Sequence, residues 1–200
     1  MKHLLISAAL LSLTACSQAS TAEPLKAKAA SVMPDTGNWT VVQPESHIRF
    51  KAVQTGDDFT GEFTAFDAVI NFDPQDLKSA SVTATVDMSS FEAGDKERNG
   101  ALPSKDWFFV RSYPEAVFQS DSFSKTGANS YEADGTLTLK GESQPLALPF
   151  ILDVSGDRAV MTGSVALNRG DYKVGQGAWS TDEWVSLNVE VDVKVTATRN

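Results

Sequence analysis

The stretch WVSLNVEVDVKV, residues 184–195, alternates without a break. Val185, Leu187, Val189, Val191, Val193 and Val195 fall on one side, and Trp184, Ser186, Asn188, Glu190, Asp192 and Lys194 on the other. Period two over this length, built largely from β-branched residues, predicts a strand with one apolar face and one wet face. Such a face has to be covered by helices, by a second sheet or by the same sheet closed on itself.

The same rhythm runs outward along the chain. Ile48, Phe50 and Ala52 alternate with His47, Arg49 and Lys51; a turn at Gly56, Asp57 and Asp58 leads to Phe59, Gly61 and Phe63. The parity then slips, and Phe66, Ala68, Ile70 and Phe72 carry the apolar side, as a bulge or sharp bend would require. Val82, Ala84 and Val86 follow, then Phe118, then Tyr131 through Leu137 and Leu139, then Leu146, Leu148, Phe150 and Leu152, then Met161 through Val165 and Leu167. That makes eight or nine strands, joined by short Gly/Asn/Asp connections that favour antiparallel pairing. One helix is expected, at residues 105–109, with Ser104 as N-cap and Pro114 as stop. It is too small to cover the sheet, so the fold class is all-β, either a sandwich or a closed barrel. Ala52, Gly61, Ala68, Ala84, Ala133, Gly135 and Gly163 stand among the large inward residues. They either leave room for a guest or mark close strand crossings.

The chain begins MKHLLISAALLSLTAC, with a positive start, an apolar run and small residues before Cys16, its single cysteine. This reads as a secretory signal over residues 1–15, too short to span a bilayer as a helix. Its end resembles a bacterial lipobox, which implies that Cys16 becomes the first mature residue and carries the lipid anchor. The other reading is plain secretion, with cleavage near Ala19 to Ala22. Ser17 in second place implies the outer membrane, so the expected location is the periplasmic side of the cell envelope. Residues 16–37 form an Ala/Ser/Pro-rich tether with a coil reach of about 25 Å, and residues 38–198 form the folded domain. A net charge of −9 argues against nucleic acid as a partner.

The segments WTVVQPESHIRF, ERNGALPSKDWFFVRSYPEAVFQS, YEADGTLTLKGESQPLALPF and LNRGDYKVG resemble the YceI-like lipid/polyisoprenoid-binding family. The resemblance runs in order over nearly the whole domain. Asn99 departs from it, standing where the family usually has an acid, and the connection between Gln54 and Asp58 is short. The resemblance implies an extended lipocalin-like antiparallel barrel of eight strands with one short helix near the mouth. It also implies a long amphiphile (a polyisoprenoid, an isoprenoid quinone or a similar lipid) in the lumen, and no catalytic residues.

Combined with the alternation, it assigns Ile48, Phe50, Phe63, Ile70, Val82, Ala84, Val86, Trp107, Phe108, Phe118, Leu137, Leu148, Phe150, Val165, Leu167, Trp179 and Val189 to the lumen. Arg169, Lys140 and Arg111 are the candidates for the ligand's polar head group. No cofactor beyond a bound lipid is expected. The partners are a hydrophobic small molecule and, through Cys16, a membrane; a homodimer stays possible.

The residues agree in offering no catalytic constellation. His47 is the one histidine beyond the signal and alternates to the wet side. No Cys/His cluster has metal spacing. Asp57 with Asp58 and Asp182 with Glu183 sit beside turns without an apolar pocket to separate their pKa values. The reading is therefore a non-enzymatic carrier or sequestering protein, and the alternative is an envelope interaction module with a side-chain-filled barrel or sandwich.

Overall fold

The computed structural model describes residues 38–200. Its strands are β1 (Trp39–Val41), β2 (His47–Gln54), β3 (Asp57–Phe63), β4 (Phe66–Asn71), β5 (Ser81–Asp87), β6 (Phe91–Glu92), β7 (Glu115–Lys125), β8 (Ser130–Leu139), β9 (Glu142–Ser155), β10 (Arg158–Asn168) and β11 (Asn188–Arg199). Among the described residues one α-helix, α1 (Lys96–Ala101), lies between β6 and β7.

The sheet runs β1-β4-β5-β7-β8-β9-β10-β11-β2-β3-β6 and closes through β1 on β11. Six of the segments are halves of three bent strands. β2 pairs β3 from Ile48↔Phe63 to Gln54↔Asp57, and β1 pairs β4 at Trp39↔Ile70. Between these pairings the β1–β2 side holds two more residues than its partner, taken up by a 3-10 turn at Gln43–Glu45. β4 and β3 likewise pair with β5 and β6 in registers offset by two residues. The architecture is thus a closed eight-stranded antiparallel barrel whose first three strands bend at one level.

The parity slip after Phe63 is this bend. Thr64 N–H donates to Ser90 O at 3.1 Å and Asp87 N–H to Ala65 O at 3.0 Å, so the backbone stays satisfied across it. Tight two-residue hairpins set the registers. Thr55–Gly56 and Lys140–Gly141 both have positive φ at both positions, the primed turn that matches strand twist. The first turn therefore sits one residue earlier than the alternation suggested, and Asp57 and Asp58 belong to β3.

The helix is not where the sequence placed it. Asp95 caps α1, accepting from Glu97 N–H at 2.8 Å and Arg98 N–H at 3.1 Å. Pro103 follows directly, so the chain turns before Ser104 can start a helix. Residues 104–109 form successive turns, with Phe109 at φ 50°. The opening stretch needs a correction too: its strand begins at Asn188, and residues 184–187 make one bridge, Gln54↔Val185, before the chain enters the barrel.

At one end the barrel is stoppered. Trp39, Phe72, Tyr131 and Phe150 are buried there; Phe72 meets Tyr131 edge-on at 5.7 Å, and Tyr131 stacks on Phe150 at 5.5 Å. Trp39 Nε1 donates to Phe72 O at 2.9 Å, so its polar atom is satisfied within the plug.

Candidate functional site: a two-chambered lumen

Above the plug the inward faces do not fill the barrel. A lower chamber of about 210 Å³ is lined only by apolar residues, among them Ile70, Val82, Ala84, Phe118, Leu148, Phe150 and Val165. An upper chamber of about 740 Å³ opens toward the mouth, between Phe50, Phe63, Trp107, Phe108, Trp179 and Val189. The two meet at a waist formed by Ile48, Val86, Ala116, Leu137, Leu167 and Val191, which line both. Every residue assigned to the lumen from the alternation and the family resemblance borders one chamber or the other.

The small inward residues divide into two kinds. Ala52 lines the upper chamber, and Ala68, Ala84 and Ala133 the lower, where their short side chains leave space. The glycines do the opposite. A Cβ on Gly61 would stand 2.3 Å from the Phe50 ring, and one on Gly135 would stand 2.3 Å from Gln119 O and 2.8 Å from the Phe118 ring. These glycines are seats for aromatic rings of the neighbouring strand and open no volume. Gly135→Ala is therefore expected to lower stability by about 1 to 3 kcal/mol, the cost of overpacking. Denaturant unfolding checks this, and an unchanged midpoint would contradict the ring-seat geometry.

The mouth is roofed by residues 93–114 and 169–187, which two buried cations hold down. Arg169 donates from Nε to Ser186 O at 2.9 Å, from Nη1 to Val174 O at 2.9 Å and Gly175 O at 3.3 Å, and from Nη2 to Thr181 O at 2.9 Å and Val185 O at 2.7 Å. Its guanidinium lies 5.5 Å from the Trp107 ring, which in turn packs on Trp179 at 5.7 Å. Gly175, at φ 77°, has no room for a Cβ beside Nη1. Lys140 Nζ reaches Lys173 O at 2.6 Å and Asp106 O at 3.2 Å. Burial lowers the pKa of both cations, and the nearby carboxylates of Asp182 and Asp106 work against that shift.

These contacts change the roles expected of the head-group candidates. The five donors of Arg169 are all taken by main-chain carbonyls, and Lys140 ties one loop to another. Arg111 is exposed and borders neither chamber. Arg169 borders the upper chamber with its donors taken; a second cation, Arg98, which sequence reading passed over, borders it too. Its Nε donates to Ala93 O at 3.0 Å and its Nη1 to Gln54 Oε1 at 3.2 Å, while the group lies 4.7 Å over the Phe59 ring. Among the described residues Nη2 has no hydrogen-bond partner. The signal for it was the cap at Asp95, which starts the helix early enough to turn Arg98 inward.

Asn99, the departure from the family pattern, donates from Nδ2 to Glu92 Oε1 and accepts from Ala93 N–H at 2.8 Å, joining α1 to β6. Asp57, Asp58, Asp95 and Glu97 also reach the upper chamber, so its rim is acidic around one free guanidinium edge. His47 stands on the outer wall, its pKa lowered by burial and by Arg49 and Lys194. Among the described residues no three His, Cys, Asp or Glu side chains are grouped to hold a metal ion. Cys16 lies outside the described residues.

Known proteins share this architecture. BcnA of Burkholderia cenocepacia superposes with a TM-score of 0.76 at 30% identity, over 79% of this chain and 99% of that one. A polyisoprenoid binding domain from Saccharophagus degradans, implicated in plant cell wall breakdown, superposes with a TM-score of 0.65 at 15% identity, over 82% and 99%. A UPF0312 protein of Vibrio cholerae serotype O1 is 27% identical over 176 residues, 84% of this chain and 89% of its own. Another, from Photorhabdus laumondii, is 34% identical over 131 residues, 64% of this chain and 67% of its own. The YceI-like domain model matches residues 39–197, which takes in every strand of the barrel and both chambers, and the chain belongs to the YceI-like family.

Proposed function

We propose that this protein binds a long-chain amphiphile, a polyisoprenoid, an isoprenoid quinone or a similar lipid, in the barrel lumen, and sequesters or carries it in the cell envelope. The observation that carries the reading is a lower chamber without one polar lining residue, continuous with an upper chamber that acquires polar groups only toward its rim. That gradient suits a molecule with an apolar tail and one polar end. Kinship to a fold neighbour described as polyisoprenoid binding supports the same class of ligand.

The protein acts as a binding protein and not as an enzyme. A bilayer is as apolar as the lumen, so tail burial alone gives little preference for the protein over the membrane. Selectivity then rests on chain fit and on the polar end, for which Arg98 Nη2 is one available donor. The protein is held to the periplasmic side of the outer membrane by acylation of Cys16.

Two measurements test this. Protein purified from its host without delipidation is expected to carry an amphiphile, seen by native mass spectrometry and identified after solvent extraction. Protein that carries nothing, and that once stripped binds no fluorescent hydrophobic probe, defeats the reading. Metabolic labelling with palmitate is expected to mark the wild-type chain and not Cys16→Ser; an unlabelled wild type removes the anchor and leaves the lumen untouched.

A further inference from the structure

β9 and β10 are neighbours, yet they pair over only part of their lengths. The ladder runs from Arg158↔Ser155 to Gly163↔Phe150 and stops. Above it β9 continues through Pro149 to Glu142 paired only to β8, and β10 continues through Ser164 to Asn168 paired only to β11.

The cause is written in β9. Leu152 N–H donates to Asn129 O at 2.9 Å, toward β8, so alternation turns the N–H groups of residues 143, 145, 147, 149 and 151 toward β10. The Pro149 carbonyl agrees, lying 2.8 Å from where a Cβ of Gly163 would stand. Residues 145 and 149 are prolines, which have no hydrogen to donate. Prolines belong at a strand edge, and here two of them create an edge inside a closed wall.

The rim of this seam is uncharged: Pro145, Ala147 and Pro149 are exposed on one side, Ser164 and Ala166 on the other. Directly behind it stand Leu146, Leu148, Val165 and Leu167 of the lower chamber. At its top a Gln144 Nε2 to Asp171 O bond at 3.2 Å and the Lys173–Glu142 ion pair cross it. The mouth, by contrast, carries the roof that Arg169 and Lys140 pin to main-chain carbonyls.

We propose that the β9–β10 seam is a lateral portal, through which the apolar chain of the ligand passes sideways into the lower chamber. Parting the strands above Gly163↔Phe150 breaks no continuous ladder, while end-on threading has to displace a pinned roof and draw the chain's whole length past the waist. The portal rests on the ligand-binding reading above and adds to it a route.

The test restores the donors with Pro145→Thr/Pro149→Thr, both at exposed strand positions where threonine is well accommodated. Wild-type amides of Ala147 and Ala166 are expected to exchange quickly with solvent, and those of the variant to be protected. Stopped-flow transfer of an anthraniloyl-labelled polyprenol from phosphatidylcholine vesicles is then compared. Uptake and release are expected to slow together, by about tenfold, with the equilibrium partition unchanged. Protected amides with unaltered rates overturn the portal, and so does a variant whose amides stay unprotected, since the prolines then do not hold the seam open. A wild type that takes up no probe at all overturns the binding reading itself, a result distinct from any change of rate.

Discussion

Replacing Ala84 by phenylalanine is expected to empty the lumen of its ligand while leaving the barrel folded. Ala84 lies on β5 opposite Ala68 of β4 and Phe118 of β7, and it borders the lower chamber. It already carries a Cβ in ordinary strand, so the substitution meets no close backbone approach of the kind that a Cβ at Gly135 or Gly163 would meet. In a filled core the ring would cost about 1 to 3 kcal/mol. Here it enters a space of about 210 Å³ and takes the place of ligand atoms. The melting temperature of stripped protein is therefore expected to fall by less than about 3 °C, near the shift that one kcal/mol causes in a domain of this size. Affinity for a long-chain fluorescent probe is expected to drop by at least about tenfold, since several methylenes lose their site at about 0.8 kcal/mol each against water. A large loss of stability with probe binding unchanged would mean that the chamber is core and that the ligand lies elsewhere.

Removing Arg169 is expected to have the largest effect on stability of any substitution at the mouth. Arg169→Met keeps much of the aliphatic stem and removes both the guanidinium over Trp107 and five hydrogen bonds to the carbonyls of Val174, Gly175, Thr181, Val185 and Ser186. Bonds to a charged donor contribute about 1.5 to 3 kcal/mol each, but water reaches some of the released carbonyls. A net loss of about 3 to 5 kcal/mol follows, or on the order of 10 °C in melting temperature. The damage should be local first: amides in residues 169–187 lose exchange protection ahead of the strands. Arg169→Lys should rescue little, because three donors on a flexible stem cannot replace five in a planar fork. A melting temperature within about 2 °C of wild type for Arg169→Met would show that the roof is held by something else.

What could be read from the sequence is what depends on residues close to one another. Side-chain alternation in a strand is a local consequence of backbone geometry, so the inward set from Ile48 to Val195 was legible residue by residue. The bend after Phe63 was legible as a slip of parity, because a bend inside a two-sided strand has to change which residues point inward. Tight hairpins at Thr55–Gly56 and Lys140–Gly141 mark where those strands reverse. With no helices to cover the apolar faces, a sandwich or a closed barrel followed, and the family resemblance implied the barrel.

The tertiary structure decided whatever depends on partners far apart in the chain. Ser104 and Pro114 make a plausible helix when taken alone; Asp95 and Pro103 end the matter because the chain must cross the mouth there. Arg169 and Lys140 looked free for a ligand because a cation's partners cannot be read from its neighbours, and theirs are carbonyls of loops that only folding brings together. Trp184 through Leu187 kept the pattern of a strand and left the ladder because Arg169 holds the carbonyls of Val185, Ser186 and Leu187. The two prolines of β9 were visible from the start, but only the register shows that both face β10. Alternation is imposed by the chain on itself, whereas hydrogen-bond partnership is settled between segments, and a sequence records the first directly and the second only through the fold.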